Sequence, residues 1–556
     1  DLINSLPITI LPEGGIYTRT DYSMRGIDIR ATATYNTSIN NTHILNFFGG
    51  FENSSIDRTR SWFRGWGYQY DKGGTPFYDY NVFKQGKEEN TNYYTNEAAN
   101  TRSVAFFVMG TYSYEGKYTL TGTGRYEGTN RLGKSRSARW LPTWNIAGAW
   151  NVHEEKFYSN FSHPVLSHAT LKASYSLTAD RGPAFVTNSQ TILNSYSLWR
   201  PSASVTESGM RITELENSEL TYEKKHEFNV GVDLGFLHNR INLAADYYRR
   251  NNFDLIGVIN TQGAGGTIAK YANIASMRSS GIELTLSTQN IKKKGFSWNT
   301  DFIFSKTKNE ITDLKSHANV LDLISGNGFG REGYPVRALF SIPFAGLTED
   351  GLPTFINQDG QRTISTLNFQ EYEKLGFLKY EGPTDPTITG SFGNILTYKN
   401  FKLNVFLTYS FGNVIRLDPV FSSAYSDLDA MPKEFKNRWM KAGDENTTNI
   451  PTIVSYRMNQ QYAYLNMAYN AYNYSDVRIA DGGFIRLKEI SLSYDLPAKV
   501  LNFFRLNKLQ FKIQATNLFL LYADSKLNGQ DPEFFRSGGV STPVPRQFTF
   551  TIRLGL

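Results

Sequence analysis

The sequence predicts an all-β fold, a transmembrane antiparallel β-barrel with short turns on one side and long loops on the other. Three observations predict it. Segments of about ten residues alternate apolar with polar side chains, the length and period of a strand crossing a bilayer at a tilt. The connections between these segments alternate short and long. Aromatic residues reach 14%, with 34 Tyr and 38 Phe among 556 residues, which suits the aromatic girdles of such a barrel.

The strands follow from alternation. Tyr118, Leu120, Gly122, Gly124 and Tyr126 alternate with Thr119, Thr121, Thr123 and Arg125. Trp144, Ile146, Gly148 and Trp150 form another apolar row, and Phe296, Trp298, Thr300, Phe302 and Phe304 a third. Phe401, Leu403, Val405, Leu407, Tyr409 and Phe411 stand opposite Lys402, Asn404, Thr408 and Ser410. The last ten residues read QFTFTIRLGL, with Phe548, Phe550, Ile552, Leu554 and Leu556 on one face. A strand edge left open in lipid exposes unpaired N–H and C=O groups, so such a strand implies a sheet that closes. Roughly sixteen strands are expected by the alternation rule.

Tight turns are expected at Glu115-Gly116, Phe236 to Asn239, Asn290 to Gly295 and Lys399-Asn400. Long polar stretches are expected at 71–101, 180–224, 249–280, 306–387 and 412–482. Counted back from the C-terminus, the tight turns are periplasmic and the long loops extracellular. The segment 151–168 is long for a periplasmic turn. Loops of this length usually carry function, and these are rich in Asn, Tyr, Gly, Asp and Ser. They suit sugars or extended peptides, or else pack on one another over the barrel mouth.

Composition removes several classes. No run of 18 apolar residues occurs, so no transmembrane helix is expected. With no cysteine, disulfides, thiolate metal sites and a cysteine nucleophile are excluded. A formal charge of +7 suits an anionic ligand or lipopolysaccharide, but the charges are spread over loops and turns, where solvation is the favoured reading. No secretory leader opens at Asp1, so the chain reads as processed or partial.

Four stretches together resemble the SusC/RagA family of TonB-dependent outer-membrane transporters of the Bacteroidota. Arg125 to Phe157 reads RYEGTNRLGKSRSARWLPTWNIAGAWNVHEEKF. It is similar to that family's RxDGSSRFG segment, Phe-Pro-Ser strand and Trp-x-x-x-Glu-Glu turn. Here Glu127 replaces the Asp, and Leu141-Pro142-Thr143 the Phe-Pro-Ser. Tyr222 to Asn309, Gly382 to Asn413 and Asp481 to Glu533 carry the other three, in the family's order. Leu556 departs from the Phe with which outer-membrane proteins generally end.

The resemblance implies a 22-stranded barrel preceded by an N-terminal extension, a TonB box and a plug. None of these precedes the barrel here, so residues 1–556 are expected to be the C-terminal part of a single barrel domain. It implies active import of oligosaccharides or oligopeptides. The partners would be a SusD/RagB-like lid lipoprotein and the TonB-ExbB-ExbD complex, in an outer membrane with its lipid and lipopolysaccharide. No enzyme activity, cofactor, metal or nucleic-acid partner is implied. The alternatives are a passive porin or adhesin barrel, or an outer-membrane barrel hydrolase.

Local motifs add little chemistry. TFINQDGQR, Thr354 to Arg362, lacks the alternate Asp residues of a calcium loop and reads as a turn. The glycines at 263, 265 and 266, and at 326, 328 and 330, lack the strand–helix frame of a phosphate loop. His153, His163 and His168, near Glu154 and Glu155, lack HExxH spacing and read as solvated turn residues. Lys292 to Lys294 read as a solvated turn. Trp62, Trp66 and Tyr68 alternate toward a loop. They are the candidate substrate-binding residues, stacking on a sugar, with membrane-girdle residues as the competing reading.

Overall fold

The computed structural model describes residues 13–74, 93–132, 136–160, 165–182, 191–197, 208–261, 263, 268–419, 433–461, 464–503, 505–535 and 544–555. Fifteen strands form one antiparallel meander in chain order, against roughly sixteen from alternation. They are β1 (Gly15–Ile39), β2 (His43–Tyr68), β3 (Tyr94–Tyr114), β4 (Tyr118–Thr129), β5 (Trp140–Asn151), β6 (Leu166–Asp180), β7 (Glu223–Phe236) and β8 (Ile241–Asn260). Then come β9 (Ala269–Lys293), β10 (Phe296–Leu314), β11 (Ile388–Tyr398), β12 (Phe401–Phe411), β13 (Phe484–Asp495), β14 (Lys508–Ala523) and β15 (Gln547–Gly555). Among the described residues no helix is long and apolar enough to cross a membrane.

The register bears out the alternating rows. Tyr118 pairs with Trp150, Leu120 with Gly148 and Gly122 with Ile146, all on the outer face. Phe302 pairs with Phe392, Leu403 with Leu492 and Val405 with Ile490. In β15, Phe548, Phe550, Ile552 and Leu554 are exposed, because lipid is their solvent. On the other face Lys172 Nζ meets Asp233 Oδ2 at 2.7 Å, and Asn404 donates to Glu489 at 3.2 Å.

Turn chemistry explains the short side. Glu115 and Gly116 have φ of 52° and 68°, the mirror-image turn that matches strand twist. Asn40 and Asn41, at 53° and 56°, make a further tight turn between β1 and β2. The expected turn Asn290 to Gly295 shortens to Lys294-Gly295, because β9 runs on to Lys293. Lys292 to Lys294 are exposed. Residues 152–165 hold a 3-10 turn (Val152–Glu154) and a short helix (Lys156–Asn160). Residues 496–507 hold another, Ala498–Phe503.

The expected loop 249–280 is overturned. β8 runs to Asn260 and β9 starts at Ala269, so most of it is strand. The polar residues that suggested a loop lie where the two strands project beyond the membrane, pairing Arg250 with Ser279 and Asn251 with Arg278. Likewise 71–101 shortens, because β3 begins at Tyr94.

Aromatic rows mark both membrane boundaries. On the short-turn side Tyr118 stacks with Trp150 and Tyr114, and Phe401 meets Tyr494 at 4.5 Å. Trp150 Nε1 donates to Glu155 at 3.1 Å and the Tyr118 hydroxyl also donates to Glu155. That contact is the physical content of the Trp-x-x-x-Glu-Glu turn. On the loop side, Tyr126 stacks on Trp140. Tyr118 and Tyr126 are eight residues apart, roughly 26 Å of strand, which fits the apolar band of an outer-membrane barrel.

The compact apolar core lies in the loops. The described residues of 315–387 and 412–483 pack around Val320, Leu323, Ile324, Phe340, Phe355 and Tyr472, all buried. The helix Leu465–Asn473 contributes Leu465, Ala468, Tyr469 and Tyr472 to this loop interior.

Candidate binding surface

The inner wall is lined by paired charges. Glu52 on β2 accepts Arg30 at 3.3 Å and Arg125 at 2.8 Å. Arg125 also meets Glu127 at 2.8 Å, and Glu127 binds Arg181. Phe107 lies between the Arg30 and Arg125 guanidiniums, 5.3 and 6.0 Å from its centroid. Arg30, Glu52, Phe107 and Arg125 line a 330 Å³ recess with Phe48, Thr143 and Asn145. Further round, Glu227 pairs with Lys225 at 2.8 Å and Arg250 at 3.0 Å. Strand periodicity puts these groups inside, because the outer face meets lipid. Glu127, at the Asp position of the RxDGSSRFG-like segment, accepts from both Arg125 and Arg181.

The loops hold more deeply buried charge. Arg416 donates to the carbonyls of Ile324 (3.0 Å), Ser475 (3.1 Å) and Phe340 (2.6 Å) and to the Ser341 hydroxyl (3.1 Å). Burial pulls its pKa down to about 10, so it stays charged at neutral pH. It stitches three loop segments together. Arg478 binds Glu434 at 2.5 Å and the Asp418 carbonyl at 2.6 Å. Arg486 on β13 binds Asp531 at 2.6 Å and Glu533 at 3.1 Å, tying the loop after β14 to the wall. That is the work of the QDPE stretch. Burial raises the Glu381 carboxyl above the usual range, and raises Tyr472 to about 12.

The three candidate aromatics lie on β2 where it rises toward the long loops, and all are half-buried. Trp62 stands opposite Thr20 and Thr95, and Trp66 opposite Ile16. Both share the face of Phe48 and Glu52, the inner one, so neither is a lipid-girdle residue. Tyr68 does not join them. The register slips at Gly67, where φ is 73°, and the extra residue turns Tyr68 to the other face. There it stacks on Tyr17 at 4.9 Å. The sequence signal missed here was the Gly after Trp66, a residue able to make the bulge.

The calcium-like and glycine motifs are turns, whereas His168, expected as a solvated turn residue, lies half-buried in β6. Asn357 accepts the amides of Asp359 (3.1 Å) and Gln361 (2.9 Å), closing the hairpin of TFINQDGQR. Gly263 and Gly328 have φ of 76° and 71°, ordinary turn geometry. Gly265 and Gly266 lie outside the described residues, as does His163. The His153 and His168 rings meet at 4.1 Å with a 44° tilt, and His153 bonds the Ala169 carbonyl at 2.9 Å. Among the described residues no three His, Asp or Glu side chains are placed to hold a metal.

A transmembrane meander with a packed extracellular cap and a charged inner wall defines an outer-membrane barrel of the receptor class. Residues 13–518 match the family described as TonB dependent receptor-like, beta-barrel, and the chain belongs to it. It is 26% identical to the TonB-dependent receptor SusC of Bacteroides thetaiotaomicron, over 82% of this chain and 43% of that protein. It is 25% identical to the TonB-dependent receptor P3 of Formosa agariphila, over 79% of this chain and 42% of that protein. The fold matches the structure titled "Structure of the RagAB peptide transporter" with a TM-score of 0.77 at 20% identity, covering 98% of this chain and 58% of that one. The chain spans about half the length of the curated relatives it matches. The SusC/RagA resemblance and the outer-membrane location are therefore established.

Proposed function

We propose that this chain forms the barrel wall and extracellular cap of a TonB-dependent importer of oligosaccharides or oligopeptides. The observation that carries this reading is the pairing of a family-wide barrel match over residues 13–518 with loops that fold around their own core. A barrel that only let solutes diffuse needs no such cap. A SusD/RagB-like lipoprotein would close over the cap as a lid, and TonB with ExbB and ExbD would open the path beneath it. The named relatives are receptors. No covalent step is needed: the work is a gated change of population between lid states. Trp62 and Trp66 are proposed ligand contacts on the inner face, with Tyr68 as packing behind them.

The test is uptake of labelled oligosaccharides and oligopeptides by cells carrying the complete gene, with and without TonB and the lid gene. Import is expected to need both. Uptake unchanged without TonB would identify a passive pore, and cleavage of the ligand by the purified protein would identify a hydrolase.

A further inference from the structure

Above the recess at Phe107, the inner face of β2 carries Arg58, Arg60, Trp62, Arg64 and Trp66 at every second position. No register slip interrupts them. They form a ladder of three guanidinium and two indole groups about 26 Å long. Arg58 and Arg60 are exposed, and the others are half-buried.

The charges on this ladder are unbalanced. Arg60 is held by Glu97 at 3.2 Å. Arg58 and Arg64 have no acidic partner among the described residues, and Arg64 Nε is shielded from solvent with no hydrogen-bond partner there. The Arg64 guanidinium lies 5.1 Å from the Trp62 centroid, a geometry that holds a flat cation beside a flat ring. Everywhere lower on the wall each arginine in the Glu52–Glu127 network has its carboxylate. The ladder breaks that pattern with three guanidiniums against one carboxylate.

Over most of the ladder the strand's backbone is not available to a ligand. From Arg58 to Phe63 β2 is paired with both β1 and β3, so an extended peptide cannot add to it through main-chain hydrogen bonds. Recognition here runs through side chains alone: indole faces and planar, bidentate cations. Those groups fit sugar rings that bear anionic substituents.

We propose that this ladder is a binding track for an acidic oligosaccharide, whose carboxylate or sulfate groups pair with Arg58 and Arg64 while sugar faces stack on Trp62 and Trp66. The proposal rests on the import reading above and narrows its substrate class.

The test uses the complete transporter in outer-membrane vesicles and three hexameric probes: oligogalacturonate, neutral maltohexaose and hexaglutamate. Oligogalacturonate should bind in preference to the other two. Its affinity should fall about tenfold or more between about 50 and about 500 mM NaCl as screening removes the charge contacts. Arg58→Gln with Arg64→Gln should weaken it about tenfold or more, as should Trp62→Ala. Arg19→Gln removes a guanidinium from the opposite face of the same hairpin and should change it less than about twofold. Equal binding of maltohexaose, preferred binding of hexaglutamate, an equal effect of Arg19→Gln, or no binding of oligogalacturonate would overturn the proposal. TonB-dependent uptake of a neutral or peptide ligand alongside any of those results would leave the import reading standing. Loss of TonB dependence with intact oligogalacturonate binding would do the reverse.

Discussion

The barrel wall and the loop cap come from one chain, yet they are built for opposite solvents. In the wall, large apolar residues such as Phe548, Leu120 and Ile146 are more than half exposed, because lipid covers them. In the cap they are hidden: among the described residues the largest fully buried side chains, Tyr469, Tyr472, Phe340 and Phe355 among them, lie in loops and none lies in a membrane strand. The wall is held by backbone ladders that lipid forbids to open. The cap is held by an apolar core like that of a soluble domain. The two regions should therefore fail independently, and for different substitutions.

The largest expected effect is in the cap. Phe340→Ala or Tyr472→Ala should cost about 3–5 kcal/mol of local stability by opening a cavity. Limited proteolysis should then cut within 315–483 while the barrel keeps its heat-modifiable migration on a gel. Loss of both together would deny the cap its separate core.

Next comes the wall. Leu403→Arg and Val405→Arg should each cost roughly 2–4 kcal/mol near the bilayer midplane, while Lys402→Ala and Asn404→Ala should be mild. Denaturant unfolding in lipid vesicles reads this directly, and equal effects on both faces would refute the register. A smaller effect belongs to the turns. Gly116→Ala, at a positive φ, should destabilise the β3–β4 hairpin by about 1 kcal/mol, read from the same unfolding midpoint.

The smallest effect is a pH dependence confined to the cap. Burial raises the Glu381 carboxyl, and Lys379 Nζ stands 3.4 Å away. A raised folded pKa means the folded state binds the proton more tightly. The stabilisation is fully present below the ordinary carboxylate value and is lost as pH rises through the folded one. The protection of amides in 379–383, taken relative to their intrinsic exchange rate at each pH, should therefore rise on acidification from neutral pH, and Glu381→Gln should abolish that rise. A dependence that survives Glu381→Gln would assign it to another group.

Much of the wall was legible because a membrane strand has one simple rule. Tyr118 to Tyr126 and Phe401 to Phe411 could be placed face by face from their period of two. The rule failed where the strands leave the membrane. Residues 249–280 carry Arg, Asn and Ser on both sides, so nothing in their alternation separates projecting strand from loop. At the candidate site, Trp62 and Trp66 were legible as an alternating pair. Tyr68 was not, since the bulge at Gly67 is a local backbone choice that flips every side chain beyond it.

By itself the sequence determined the fold class, the sidedness of turns and loops, and the family. The first two follow from periodicity and spacing, which a bilayer reads residue by residue, and the family from the resemblance of four stretches of sequence. Only the tertiary structure decided that loops 315–387 and 412–483 share one core. It alone put Arg416 at the meeting of three segments, and left Arg58 and Arg64, beside two tryptophans, without acidic partners among the described residues. Those outcomes depend on contacts between residues tens of positions apart, and no local period encodes them.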